Sequence, residues 1–142
     1  MKKLVSTLKL EKKEWLTYRK KGIGGSDAGA VCGLNPYRTA IQVYQDKISE
    51  EIEELDNEAM RQGREFEDYV AKRFMEATGK KVRRANAIFY HGKYPFMLAD
   101  VDRMVVGENA GLECKTASPY MADKWEEWKD SIVLSNPVLS LV

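Results

Sequence analysis

The sequence predicts an α/β fold, on three observations. Helical patterns punctuated by glycines and cap residues fill the first half of the chain. Three runs rich in Val, Ile, Phe and Tyr follow in succession, parted by Gly-containing turns. A further helical pattern comes after them, so one long helix can cover a face of a three-strand meander.

The elements follow in order. Residues 10–21, LEKKEWLTYRKK, read as a short amphipathic helix whose apolar side is Trp15, Leu16 and Tyr18. It runs into GIGGSDAGAVCGLNPYRTA, where Gly22, Gly24 and Gly25 make a turn. Ser26 and Asp27 are N-cap candidates for the next helix, which Gly33 and Pro36 end. Residues 39–48 form another helix, and SEEIEELDN after it is an acidic surface segment. The longest periodic element spans 57–79, with Met60, Phe66, Val70, Phe74 and Ala77 on one stripe and Gly79 as its stop.

Three strands follow in KKVRRANAIFYH, YPFMLADVDRMVV and AGLECKTAS, with HGKYP and GENAG as turns. His91, the sole histidine, falls in the first of these turns and reads as a turn residue. PYMADKWEEWKDS predicts a helix with Trp125 and Trp128 in the core, and IVLSNPVLSLV is an apolar tail. No repeat or low-complexity segment interrupts the pattern.

At 142 residues, 44% hydrophobic and 32% charged, residues 1–142 are expected to form a single domain with one active surface. The net charge of +1 supplies no strong overall field, so nucleic acid would have to meet a local basic patch. Lys72, Arg73, Lys80, Lys81, Arg83 and Arg84 concentrate positive charge near the end of the long helix, a DNA-facing stripe or an ordinary solvated face. Cys32 and Cys114 form no CxxC pair, and no signal peptide precedes the first helix, which together read as cytosolic with reduced thiols. No run approaches the roughly 18 apolar residues of a membrane span. One histidine and no cysteine cluster argue against zinc and iron–sulfur sites.

The chemistry concentrates in GLECKTAS. Strand alternation puts Glu113 and Lys115 on one face and Leu112, Cys114 and Thr116 on the other, so the Glu/Lys face looks into a cleft or solvent. The preceding strand ends with Asp100 and Asp102, and the GENAG turn would fold it back so that Asp102 lies across from Glu113. Glu65, Glu67 or Asp68 of the long helix could supply a third acid. Convergent carboxylates suit Mg²⁺, and a lysine beside them can orient an attacking water and offset phosphate charge. The same residues also fit a cross-face ion pair and a turn aspartate.

Taken jointly, DVDRMVVGENAGLECK, the upstream MRQGREFED and GIGGSDAGAVCGLNPYRTA resemble the PD-(D/E)xK nuclease superfamily. Within it the pattern is most similar to the YqaJ-like viral recombinase family, to which the lambda-type phage exonuclease is related. Arg19 stands seven residues before Ser26, as the family's phosphate-binding arginine stands before its serine. The likeness runs from about Trp15 to about Lys129.

The resemblance implies a restriction-endonuclease-like core, a central mixed sheet carrying the meander with helices around it. It implies that Asp102 and Glu113 bind Mg²⁺ (or Mn²⁺), that Glu67 contributes from the helix, that the Cys114 carbonyl is a further ligand, and that Lys115 serves the attacking water. Arg19 and Ser26 would hold the 5′ phosphate of a resected strand, with backbone N–H groups of Gly24 and Gly25 beside them. The implied protein is a phage or prophage DNA exonuclease in the bacterial cytoplasm, 5′-to-3′ in direction. It would act on duplex ends in homologous recombination with a single-strand annealing protein, and relatives form a trimer.

The sequence also departs from the family. Val101 stands before Asp102, where the family has proline or a small residue. Family members continue into a glutamine-bearing helix and at least one more strand, whereas DSIVLSNPVLSLV contains no glutamine, so the chain is expected to lack those elements. An alternative is therefore a catalytically inactive remnant that binds DNA ends or phosphate.

Overall fold

The computed structural model describes residues 1–52, 54, 56–116 and 139–141. They form two compact units, one of residues 1–55 with 86–100, the other of residues 56–85 with 101–142.

In the first unit, β1 (Lys2–Ser6) pairs antiparallel with β3 (Ala87–Tyr90), which pairs antiparallel with β4 (Leu98–Asp100). Helices α1 (Lys12–Lys20), α2 (Gly25–Val31) and α3 (Ala40–Ile48) lie between β1 and the rest in sequence. Ala30, Val43, Ala87 and Ile88 are its buried apolar residues. β1 was not predicted, because KKLVS is too short and too lysine-rich to carry an alternating signal, and its partner strand lies more than 80 residues further along the chain. Ile23 makes a parallel bridge to Met97, with the Ile23 N–H donating to the Phe96 carbonyl at 2.7 Å and the Leu98 N–H to the Ile23 carbonyl at 2.8 Å. A Cβ on the adjoining Gly22 would stand 2.4 Å from the Phe96 carbonyl oxygen. Glycine at position 22 is what lets the α1–α2 turn lie against this strand segment.

Helix starts and stops follow local chemistry. Thr39 caps α3, its side chain accepting from the Gln42 N–H. Asp27 caps nothing in the expected way. The N-cap is Gly24, and the Asp27 carboxylate reaches back from the first turn to accept the Gly24 N–H at 3.1 Å. Ser26 bonds elsewhere.

The second unit is built on α4 (Glu58–Thr78), whose limits match the sequence reading. Asn57 accepts the Met60 N–H at 2.9 Å at one end, and Gly79 closes the other in the left-handed region at φ 71°. β2 (Val82–Arg84) pairs antiparallel with β5 (Arg103–Val105), and β5 with β6 (Gly111–Leu112). β7 (Cys114–Thr116) pairs with β8 (Leu139–Leu141), which lies in the expected apolar tail. Val70 and Leu112 are buried at the centre, with Phe74, Val82 and Cys114 packed on them. Only the middle of the predicted apolar stripe faces the core: Val70 is buried and Phe74 half-buried, whereas Met60, Phe66 and Ala77 are exposed.

The meander therefore exists, but each expected strand is broken once. The first breaks at Asn86, which has φ 49°, the second at Val101–Asp102 and the third at Glu113. At the first two breaks the chain passes between the units. The helix expected over residues 119–131, with Trp125 and Trp128, lies outside the described residues. No helix among the described residues is long and apolar enough to cross a membrane.

Candidate active site

The second unit gathers Asp102, Glu113, Lys115, Glu67 and Cys114. The β5–β6 register pairs Arg103 with Leu112, the neighbours in sequence of Asp102 and Glu113. The Asp102 carboxylate accepts the Cys114 N–H at 2.6 Å and is partly buried. Burial pushes its pKa up to about 6 against the pull of that hydrogen bond, and the charges of Glu113 and Glu67 push the same way while Lys115 opposes them. Asp102 thus senses both other acids, which is the electrostatic setting a cation relieves.

Lys115 and Glu113 form an ion pair at the surface. The plain ion-pair expectation foresaw this contact, and the metal-site expectation placed both groups on one face without pairing them. Glu67, from α4, is held by Arg103, and Asp68 takes the other arm of the same guanidinium at 2.6 Å. Arg84 also binds Asp68, and that hydrogen bond, more than offsetting burial, holds the Asp68 carboxyl below the usual range with help from Arg103. The Cys114 thiol is pushed up to about 12 by burial and then by the Asp102 charge.

Arg103 is the residue that the sequence reading passed over. Only 4% exposed, it also donates to the Asp102 carbonyl at 2.9 Å and so ties the α4 acids to the strand bearing Asp102. The signal was its strand parity with Val105, since both are buried while Met104 between them is less so.

Whether these residues fit a divalent ion divides into chemistry and placement. Asp102, Glu113, Glu67 and the Cys114 carbonyl are all hard oxygen donors, the set that Mg²⁺ or Mn²⁺ takes. Among the described residues, however, no three His, Cys, Asp or Glu side chains stand close enough together to hold a metal. Arg103 and Lys115 occupy two of the three acids. The donors suit the ion, and closing the set requires these acids to exchange a protein cation for it.

Arg19, Ser26 and Gly25 belong to the first unit. The Arg19 Nη2 donates to Ser26 Oγ at 2.9 Å, so the predicted pair does meet. The Arg19 guanidinium lies 4.6 Å from the centre of the Trp15 ring, and the Trp15 indole N–H donates to Asp100 at 2.7 Å. Asp100 is thus engaged with α1. Gly25 is exposed, with open space where a Cβ would point. Of the six basic residues near the end of α4, Lys72, Arg73, Lys80 and Arg84 sit in ion pairs with neighbouring acids, which favours the solvated-face reading for most of that stripe. His91 is a turn residue, its Nδ1 accepting the Tyr94 N–H at 3.1 Å.

The fold first defines a class. The crystal structure of LHK-Exo in complex with dAMP matches with a TM-score of 0.63 at 19% identity, over 87% of this chain and 62% of that one. At this identity the likeness is one of fold, in keeping with the expected α/β class. Residues 14–137 match the YqaJ-like viral recombinase domain, and the chain belongs to that family. The protein YqaJ of Bacillus subtilis (strain 168) is 47% identical over 125 residues, which cover 87% of this chain and 39% of that protein's length.

Proposed function

We propose that this chain carries the centre of a phage or prophage recombination nuclease that hydrolyses phosphodiesters at the ends of duplex DNA. The observation that carries the reading is Asp102. It is a partly buried carboxylate, bound by the Cys114 N–H and raised in pKa by burial together with Glu113 and Glu67. Such a carboxylate stays ionised at neutral pH most readily beside a cation. Membership of the YqaJ-like family and the LHK-Exo fold support the same reading.

Mg²⁺, or Mn²⁺ in its place, would be held by Asp102, Glu113, Glu67 and the Cys114 carbonyl. When bound it supplies Lewis acidity toward the scissile phosphate. Lys115, already placed beside Glu113, would orient the attacking water. Arg19 and Ser26 would bind the 5′-terminal phosphate beside exposed Gly25, which favours 5′-to-3′ resection. A single-strand annealing protein and further copies of the chain are the proposed partners.

The test is nucleotide release from linear and covalently closed circular duplex DNA, with Mg²⁺ and with EDTA. Metal-dependent release from the linear form alone supports the reading, and equal cutting of both forms defeats it. The open acid set favours a second reading, an inactive DNA-end binder, which predicts salt-sensitive binding without release in either metal.

A further inference from the structure

The first unit contains a buried carboxylate that the proposed chemistry does not use. Asp27 is only 4% exposed. It accepts from the Gly24 N–H at 3.1 Å and from Arg38 Nη1 at 3.0 Å, and Lys47 Nζ stands 2.7 Å from it. Burial alone would raise its pKa, but the Lys47 and Gly24 hydrogen bonds and the two positive charges outweigh it and hold the carboxyl below the usual range. Asp27 is therefore a buried anion with cations drawn in around it.

One of those cations leads back to Arg19. Lys47 Nζ also donates to the Arg19 carbonyl at 3.0 Å, and Arg19 Nη2 donates to Ser26 Oγ. Ser26 precedes Asp27 in the chain. The contacts close a ring through Asp27, Lys47, Arg19 and Ser26, spanning the end of α1, the start of α2 and the last turn of α3. Nothing about holding α2 on α3 requires Lys47 to reach the Arg19 backbone as well.

We propose that Asp27 is a positioning residue for recognition of the DNA end, fixing Arg19 through Lys47 and the Gly24–Ser26 turn through the Gly24 N–H, so that guanidinium and hydroxyl face one terminal phosphate. The inference rests on the reading of Arg19 and Ser26 as the phosphate-binding pair. Asp27 itself touches no DNA. Its contribution is the difference in affinity between a 5′-phosphate and a 5′-hydroxyl end, because only the phosphate exploits charge-assisted donors held at fixed separation.

The experiment measures fluorescence-anisotropy binding of the full chain to hairpin duplexes ending in 5′-phosphate or 5′-hydroxyl, in EDTA, with the melting temperature of each variant recorded. Arg19→Ala tests the underlying reading, and Asp27→Asn and Lys47→Met break the ring from two sides. The expected result is that all three reduce the phosphate-to-hydroxyl affinity ratio, Arg19→Ala the most and the ring variants by about tenfold, the loss in the ring variants falling on the phosphate end. If Arg19→Ala abolishes the ratio while a folded Asp27→Asn or Lys47→Met keeps it, the positioning role is overturned and the phosphate reading stands. If wild type shows no ratio, or Arg19→Ala preserves it, the reading fails and the inference with it. Should Asp27→Asn not fold, Lys47→Met decides, because it leaves Asp27 ionised opposite Arg38.

Discussion

The Cys114 backbone N–H donates to the Asp102 carboxylate at 2.6 Å, joining the residue before Lys115 to the acid across the hairpin. That contact holds a carboxylate in a place where burial and two neighbouring acids oppose its charge.

Asp102 gives stability a pH dependence. Its folded pKa of about 6 lies above the ordinary 3.8, so between those values the folded state keeps a proton that the unfolded chain releases. Stability therefore falls as pH rises from about 4 to about 6 and stays lower above it. Asp102→Asn, which can still accept the Cys114 N–H, should remove this fall. The variant should be more stable than wild type at pH 7.5, by on the order of 1 kcal/mol after solvent screening, with the advantage gone near pH 4. Urea melts at the two pH values check it.

Mg²⁺ should act on the same carboxylate from the other side. At millimolar Mg²⁺ and pH 7.5 the melting temperature of wild type should rise, since an ion that binds only the folded state stabilises it by mass action. Asp102→Asn should show little or no rise. Differential scanning fluorimetry across a Mg²⁺ series, with Ca²⁺ and NaCl controls, reads this without requiring turnover.

Arg103 is a buried cation between acids, and removing it leaves Glu67 without its partner beside Asp102. Arg103→Met should cost about 1–3 kcal/mol, the scale of hydrogen bonds to charged groups, because the acids it leaves behind keep access to water. The double variant Arg103→Met/Glu67→Leu should recover much of that loss. Chemical denaturation of the three chains decides whether the pair is coupled in this way.

Leu112→Ala should cost about 2–5 kcal/mol, because its side chain fills the space against Val70 next to Phe74 and Val82. Thermal melts give the value. A loss under about 1 kcal/mol would mean that β6 does not pack on α4 as described.

Features governed by neighbours in sequence were legible beforehand. The α4 limits follow from Asn57 and Gly79, and the β5–β6 hairpin follows from a turn that announces itself in GENAG. What escaped depended on distant partners. Breaks in the strands, the pairing of β1 with β3, and the burial of Arg103 are settled by tertiary contacts that alternation in one strand cannot encode. Asp27 illustrates the same limit: a cap candidate by local rules becomes a hub because Arg38 and Lys47 arrive from further along the chain. Which cation holds Glu67 was equally invisible, since GREFED shows acids but not the arginine that meets them.

The most direct measurement is digestion of 5′-end-labelled linear duplex DNA by the purified chain with and without Mg²⁺, beside Glu113→Ala and Lys115→Ala of matched melting temperature. The expected result is Mg²⁺-dependent loss of terminal nucleotides by wild type, reduced at least about a hundredfold in each variant, the scale on which positioned acid–base groups contribute. Digestion that persists undiminished in both variants, or a folded wild type that binds duplex ends and releases nothing in Mg²⁺ or Mn²⁺, would contradict a nuclease centre at Asp102, Glu113 and Lys115.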